Sequence, residues 1–400
     1  VKNKVSIILT GLNGYGENFV KELLKENNAL YELVAVVSGN PEKSKYYNAL
    51  LEHGVKMYQT IDDCLNENKV DLAIITTPMH IHYREVVCAL KHGANVFCEK
   101  PLAPTIDECL EIKRLSDQTN LFVAVGFQWS FSKAIQNLKK DILANKFGKV
   151  KKMKTIVRWY RPKSYFENSN WKGKNVDKDG KYILDNLMSN SASHHLHNLL
   201  FLSGNELFNS ANPTSIEGEG YKAYKIDGYD TVFMRINTDN DCELLYLATI
   251  VSEEEKEACF EMELEEATVY YSPEKASNII VKTKDGRILE YGSPEEGRFE
   301  HWLLAVDAIR SGKKLACDIN TILPEVVTVN AAIENIPAIP FSPGMIEEDE
   351  KGIVVRDING ILECCFHNEK LPSEIGYAWA SKANKTDLKG YKTFSGIASL

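Results

Sequence analysis

Two observations predict an α/β chain that opens on a doubly wound parallel sheet and continues into an α+β domain built on a large, mostly antiparallel open sheet. Over residues 1–126, short β-branched runs alternate with helical patterns, as in βαβ units. After Phe127 the strand patterns follow one another without regular helices between them, the texture of an antiparallel sheet. The expected division is 1–126, 127–340 for substrate binding and oligomerisation, and a C-terminal extension, 341–400, richer in Pro, Gly and charge and packed over the surface.

Six strands are expected in the first part: Val5–Leu9, Leu33–Val37, Val55–Tyr58, Leu72–Thr76, Asn95–Cys98 and Leu121–Val125. The segments between most of them carry apolar residues at helical spacing, as at Phe19, Val20, Leu23 and Leu24. In such a sheet ligands bind at the carboxyl ends of the strands, so the residues after each strand matter most. The second part reads as a helix over Ser132–Asn145 followed by strands near Lys151–Tyr160, Thr231–Ile236, Glu243–Val251, Glu257–Glu263, Ala267–Tyr271, Asn278–Lys282 and Ile288–Tyr291. Helical patterns return at Phe299–Arg310 and Pro324–Asn335, and the acidic run Glu253–Glu255 reads as a solvated turn.

Composition narrows the function classes. The 400 residues carry 47 basic and 56 acidic side chains, a formal charge of −9, with the basic residues spread out; nucleic acid and anionic membrane are not the expected partners. The first apolar run, Val5–Leu9, is too short for a signal peptide and none approaches the roughly 20 residues that span a bilayer, so a cytoplasmic location is expected. Nine scattered cysteines show no metal-ligand spacing and an odd count, which speaks against a disulfide framework.

Strand one ends in Gly11-Leu-Asn13-Gly14-Tyr15-Gly16 and runs into an amphipathic helix. Glycine there lets the backbone turn tightly and approach a pyrophosphate, which the helix amides and dipole then meet, so this is the context of a Rossmann dinucleotide fingerprint. Asn13 stands at the second glycine of G-x-G-x-x-G, as a residue that tolerates left-handed backbone, with Gly14 beside it. Strand two ends in Ser38-Gly39-Asn40-Pro-Glu-Lys43, without the carboxylate that usually receives the ribose 2′-hydroxyl of NAD. Ser38 can donate to a 2′-phosphate and Lys43 can neutralise it, so NADP is the expected cofactor, with NAD possible through other contacts.

Strand four ends in Thr76-Thr77-Pro78-Met-His80-Ile-His82, strand five in Glu99-Lys100-Pro101, and strand six in Gly126-Phe127-Gln128. With these motifs residues 4–335 resemble the Gfo/Idh/MocA oxidoreductases, and the turn at Ser38–Lys43 is similar to that of the glucose–fructose oxidoreductases, the NADP-using branch. The resemblance implies that Lys100 sits beside the nicotinamide and bonds the reacting hydroxyl. Chemistry agrees, because hydride leaves a secondary alcohol only as its hydroxyl proton departs to a nearby base. Expected cofactor contacts are Gly11, Asn13, Gly14, Tyr15, Gly16, Ser38, Gly39, Asn40, Lys43, Thr76, Thr77, Pro78, His82, Glu99, Lys100 and Gln128.

The family's second catalytic element is usually an Asp, a His four residues on and a second Asp three further. Aligned on the helix ending Leu199-Leu200-Phe201-Leu202-Ser203-Gly204, these positions hold Asn190, His194 and His197, so both carboxylates are absent. His194 keeps the place of the catalytic histidine, and either it or Lys100 is the proton acceptor. Metal binding by His194, His195 and His197 lacks an acidic third ligand, and no metal is expected. Arg158, Arg161, Tyr165 and Trp171 combine aromatic faces with cationic donors, a mixture suited to a polyhydroxylated ring, and Asn190 and His197 join them as expected substrate contacts. The implied reaction is hydride transfer between nicotinamide and a secondary alcohol or ketone of a sugar, inositol or related polyol, in a homodimer or homotetramer paired through the open sheet. Two rivals stand beside it: glycoside hydrolysis through transient oxidation on bound NAD, and a dinucleotide sensor without turnover.

Overall fold

The computed structural model describes residues 4–25 and 29–397, which fall into two compact units. The first unit is the chain up to Ser132 together with Glu295–Ile322; the second is Lys133–Pro294 with the chain from Leu323 onward. The domain boundaries expected from the sequence are corrected in two places. A returning segment, not only residues 1–126, completes the first unit, and the chain after Pro340 is an integral part of the second.

The first unit is a six-stranded sheet of β1 (Val5–Thr10), β2 (Tyr31–Val37), β3 (Lys56–Tyr58), β4 (Leu72–Ile75), β5 (Asn95–Cys98) and β6 (Val123–Val125). Its order is β3-β2-β1-β4-β5-β6 and every pairing is parallel. Runs such as Val5, Ile7, Ile8, Leu9 and Leu72–Ile75 are fully buried because helices cover both faces of such a sheet. Order reverses between β1 and β4, so the crevice at their carboxyl ends is the ligand position of this fold. From the returning segment, Cys317 O accepts from Val125 N at the β6 edge, and Trp302 packs edge-on against Tyr31 with ring centres 5.0 Å apart. The helix expected over Phe299–Arg310 forms here as Leu303–Ser311.

The second unit holds a mixed ten-stranded sheet. Its strands are β7 (Val150–Tyr160), β8 (Pro213–Lys222), β9 (Thr231–Thr238), β10 (Glu243–Thr249), β11 (Val251–Leu264), β12 (Ala267–Ser272), β13 (Ala276–Thr283), β14 (Ile288–Glu290) and β15 (Ala338–Pro340). Beyond a separate hairpin, β16 (Ile346–Glu348) with β17 (Ile353–Val355), the strand β18 (Lys385–Asp387) pairs with β8. The order is β14-β13-β12-β11-β7-β10-β9-β8-β15, antiparallel except where β10 meets β7 and β15 meets β8. β8 is absent from the strands expected. Its glycines read as loop, but they make room: a β-carbon at Gly218 would lie 2.8 Å from Ile336 Cδ1, and one at Gly220 would run into the Tyr229 ring. Glu253–Glu255 is exposed as expected, yet it opens the long strand β11 through a register shift against β7, instead of forming a turn.

The tail is not a surface wrapping. Ile358, Ile361, Leu362 and Cys365 stand at helical spacing in helix Ile358–Asn368, and all four are buried with Phe366 in one cluster with Ile156, Phe233, Leu245 and Leu247. Residues alternate along β10, so Leu245 and Leu247 meet this helix while Tyr246 reaches the opposite side, where its hydroxyl donates to Ala192 O beside helix Ser193–Ser203. The centre of the sheet is thus covered on both faces from within the unit. Among the described residues no helix is long and apolar enough to cross a membrane.

Candidate active site

The turn after β1 is shaped by two glycines. Gly11 takes φ +86°, and a β-carbon there would lie 2.8 Å from the carbonyl carbon and oxygen of Thr76 and 2.9 Å from Thr77 N. Gly16 packs back on the same turn, where a β-carbon would run into Gly11 O and stand 2.8 Å from Thr76 Oγ1. Only residues without a β-carbon let helix Gly16–Leu23 begin this close to the sheet. The left-handed residue beside them is Gly14 at φ +65°, not Asn13, and a side chain at 14 would meet nothing within 4 Å. The outer side of the turn is open, with Asn13 and Tyr15 exposed.

The other strand ends are braced from below. Thr76 Oγ1 donates to Thr10 O and Gly11 O, each at 2.8 Å, while the hydroxyls of Thr10 and Thr77 both donate to Glu85 Oε2 at 2.8 Å. His82 is buried with Nδ1 2.7 Å from Pro101 O and Nε2 2.7 Å from Thr77 O. Burial lowers its pKa to about 4, against the pull of the two carbonyls. After β2, Ser38 Oγ accepts from Asn40 N at 3.4 Å, and Gly39, Asn40 and Lys43 are exposed, whereas Lys45 is taken by Glu17 at 2.6 Å. Beyond β5, Glu99 is buried and Lys100 is half-buried, with a cis peptide to Pro101. Gln128 opens the short helix after β6, buried, and its Oε1 has no hydrogen-bond partner among the described residues.

In the second unit, Asn190 Nδ2 donates to Asp185 Oδ1 at 2.8 Å and to Tyr165 Oη at 3.2 Å. Asp185 is buried and also accepts from Gly173 N at 2.5 Å. A carboxylate only accepts, so the amide of Asn190 is fixed with its nitrogen toward Asp185 and its oxygen turned the other way. Burial, and next the Asp185 charge, raise the Tyr165 phenol. Lys172 Nζ lies 3.6 Å from the Tyr165 ring centre and 5.9 Å from that of Trp171, and Arg161 Cζ is 5.7 Å from Tyr165. Burial lowers the Lys172 ammonium, with Asp185 opposing. Arg161, Tyr165, Trp171 and Asn190 therefore form one cluster, near which half-buried His194 stands in the first turn of helix Ser193–Ser203.

Comparison with known proteins bears on this arrangement. Residues 5–127 match the pattern described as the oxidoreductase family with an NAD-binding Rossmann fold. This part of the chain is similar to the Gfo/Idh/MocA oxidoreductases. A 2,7-anhydro-N-acetylneuraminate hydratase of Mediterraneibacter gnavus is 27% identical over 146 residues, 36% of this chain and 37% of that protein. The scyllo-inositol 2-dehydrogenase (NADP(+)) of Bacillus subtilis is 24% identical over 166 residues, 40% of this chain and 44% of that protein. The chain thus spans less than half the length of these curated relatives. Among solved structures, the WlbA dehydrogenase of Bordetella pertussis, in complex with NADH and UDP-GlcNAcA, is similar in fold, with a TM-score of 0.67 at 20% identity over 82% of this chain and 95% of that one.

Several residues that the Gfo/Idh/MocA resemblance nominated have other work. The hydroxyls of Thr76 and Thr77 and both nitrogens of His82 are engaged with the protein itself, so these side chains hold the strand-end turns. Arg158 is buried and paired with Glu363 of the tail helix. His197 is 1% exposed and stacked on Phe201, and burial, then Lys139, lower it to about 3; it is a core residue, not a substrate contact. Conversely, the absence of a carboxylate at position 190 is offset by Asp185, which the sequence reading passed over together with Lys172, Arg298 and His301. None of these carries a local pattern: Asp185 lies in an irregular loop, and His301 enters the first unit from the returning segment.

Proposed function

We propose that this chain is an NADP-dependent oxidoreductase that moves a hydride between nicotinamide and a secondary alcohol or ketone of a sugar, inositol or related polyol. The observation that carries the reading is the family's strand-end constellation in the first unit: the Gly11–Gly16 cradle with Lys100 after β5. The residues fit a dinucleotide. Gly11, Gly14 and Gly16 admit a pyrophosphate, and the buried, unpartnered Gln128 Oε1 suits an amide donor such as a nicotinamide carboxamide. A bound nicotinamide supplies the hydride acceptor or donor. Ser38 and Lys43, in a turn whose single acid, Glu42, is exposed, support the phosphorylated cofactor.

Lys100 holds or releases the proton of the reacting hydroxyl at Nζ. His194 is the other candidate for the proton acceptor, and the variants named below separate the two. Asn190 is locked by Asp185, and the Tyr165 and Trp171 faces with the Arg161 and Lys172 donors suit the C–H and O–H surfaces of a polyol. Subunit pairing belongs to the same proposal. With the sheet face over β7 and β10 covered by helix Ile358–Asn368, we assign it to the β11–β14 end of the sheet.

The test is a panel of sugars, inositols and sugar acids followed by nicotinamide absorbance with NAD and NADP, on wild type and on Lys100→Ala and His194→Ala. Turnover with at least one polyol, faster with NADP and reduced at least about a hundredfold in Lys100→Ala, is expected. Product without net change in absorbance favours transient oxidation, as for a hydratase or glycosidase. Undiminished turnover in both variants refutes the assignment.

A further inference from the structure

Beneath the strand end that carries Lys100 lies a pair of buried groups, Glu99, expected from the sequence to contact the cofactor, and His301, to which no role has been given. Glu99 is 6% exposed; its Oε2 accepts from Lys100 N at 3.3 Å, and its Oε1 has no hydrogen bond among the described residues. Gly126 makes room for that carboxyl, since a β-carbon there would fall 2.7 Å from Oε1. His301, 5% exposed, places its Nε2 3.9 Å from Oε1, and this nitrogen is equally without a hydrogen bond. The ring is walled by Phe97, Phe131 and Phe19, with ring centres 5.1, 5.6 and 6.3 Å away.

The tautomer of His301 follows from its other side. Nδ1 is 2.7 Å from Arg298 O, and a carbonyl only accepts, so Nδ1 bears the hydrogen and Nε2 of the neutral ring is a lone pair. A lone pair repels an ionised carboxylate and accepts from a carboxylic acid. One proton between the two satisfies both; without it two buried acceptors face each other unpaired. A separation of 3.9 Å is long for that bond, as hydrogen bonds at reaction sites commonly are before a ligand closes them.

We propose that Glu99 and His301 hold one proton between them, so that the pair is uncharged while the proton is present and anionic once it leaves, and that this state sets which redox form of a nicotinamide the chain prefers. The second half rests on the reading of this strand end as the nicotinamide side of the cofactor site. Oxidised nicotinamide carries one more positive charge than reduced, so a nearby anion favours the oxidised form. The charged and titratable groups that face the pair are Lys100 and Arg298, which favour the carboxylate, with Tyr15, the Cys98 thiol and, beyond them, Glu295. Burial outweighs both cations and holds Glu99 up at about 7, while it pulls His301 down to about 4.

Two measurements on the full chain test this. In the cofactor-free protein, carboxyl-labelled glutamate followed by NMR gives the Glu99 titration, its signal assigned by disappearance in Glu99→Gln. The midpoint is expected at about 7 and lower in His301→Phe, which keeps the ring and removes the acceptor. A midpoint in the ordinary glutamate range, or one indifferent to His301→Phe, overturns the pair. Next, NADP+ and NADPH affinities are measured across that midpoint. Their ratio should swing on the order of tenfold toward NADP+ as pH rises, and stay flat in Glu99→Gln. A flat ratio in wild type overturns the cofactor half, whereas failure to bind either nucleotide refutes the functional reading and leaves the pair to stand or fall on its own titration.

Discussion

Gly11 and Gly14 both take left-handed backbone in one turn, yet alanine should affect them differently. At Gly14 the substitution meets open space, so its cost is the backbone term alone, about 1–2 kcal/mol. At Gly11 the same term applies, and the new methyl also lies 2.8 Å from the Thr76 carbonyl, which belongs to the backbone of the β4 turn and cannot swing aside as a side chain would. Such overpacking adds about 1–3 kcal/mol, for a total of roughly 2–5 kcal/mol against a whole-domain stability of about 5–15 kcal/mol. Because the chain has two units, a global melt mixes their transitions. Hydrogen exchange of the amides in β1 and β4 reads the affected region directly. Gly11→Ala should lower protection there by at least about fivefold more than Gly14→Ala, whereas Gly14→Ala should lose only the protection its backbone term costs and should also lose stabilisation by NADP. Equal protection in the two variants would refute the close-approach argument.

Further predictions follow from the same kind of reasoning. Asp230 is buried under the amides of Ala223 and Tyr224, and burial raises it to about 7, above its unfolded value near 3.9. The native state therefore binds this proton more tightly, so stability should fall as pH rises from about 4 through 7 and level off above; Asp230→Asn should flatten that slope in denaturant titrations at several pH values. Lys43→Glu should weaken NADP binding at least about tenfold in calorimetry and leave NAD within about twofold, and equal effects would remove the 2′-phosphate role. Ending the chain at Pro340 strips the sheet of Ile358, Ile361, Leu362 and Phe366, at about 1.5–3 kcal/mol each; the product should be aggregated by light scattering, and a soluble, folded second unit would contradict the burial described.

How far the sequence announced this structure depends on how local each signal is. The parallel strands were legible because each is a short apolar run read without reference to its neighbours, and Lys100 because it follows such a run. β8 was hidden by Gly218 and Gly220, whose missing side chains are explained only by Ile336 and Tyr229 from other parts of the chain. The tail helix did have its signal, the spacing of Ile358, Ile361, Leu362 and Cys365, but Pro, Gly and charge around it dominate a reading by composition. His301 and Asp185 illustrate the remaining limit. A histidine after Glu300 and an aspartate before Asn186 look unremarkable in the chain, and only the fold brings them to Glu99 and Asn190.

The helix Ile358–Asn368 also bears on how the chain is made. The ribosome releases β7, β9 and β10 long before the residues that shield Ile156, Phe233, Leu245 and Leu247, so through much of translation these strands have one greasy side without its cover. The sheet can reach its final form only once the tail emerges. Until then the nascent polypeptide carries an uncovered apolar face open to association, and a chain ending anywhere before that helix keeps that face bare.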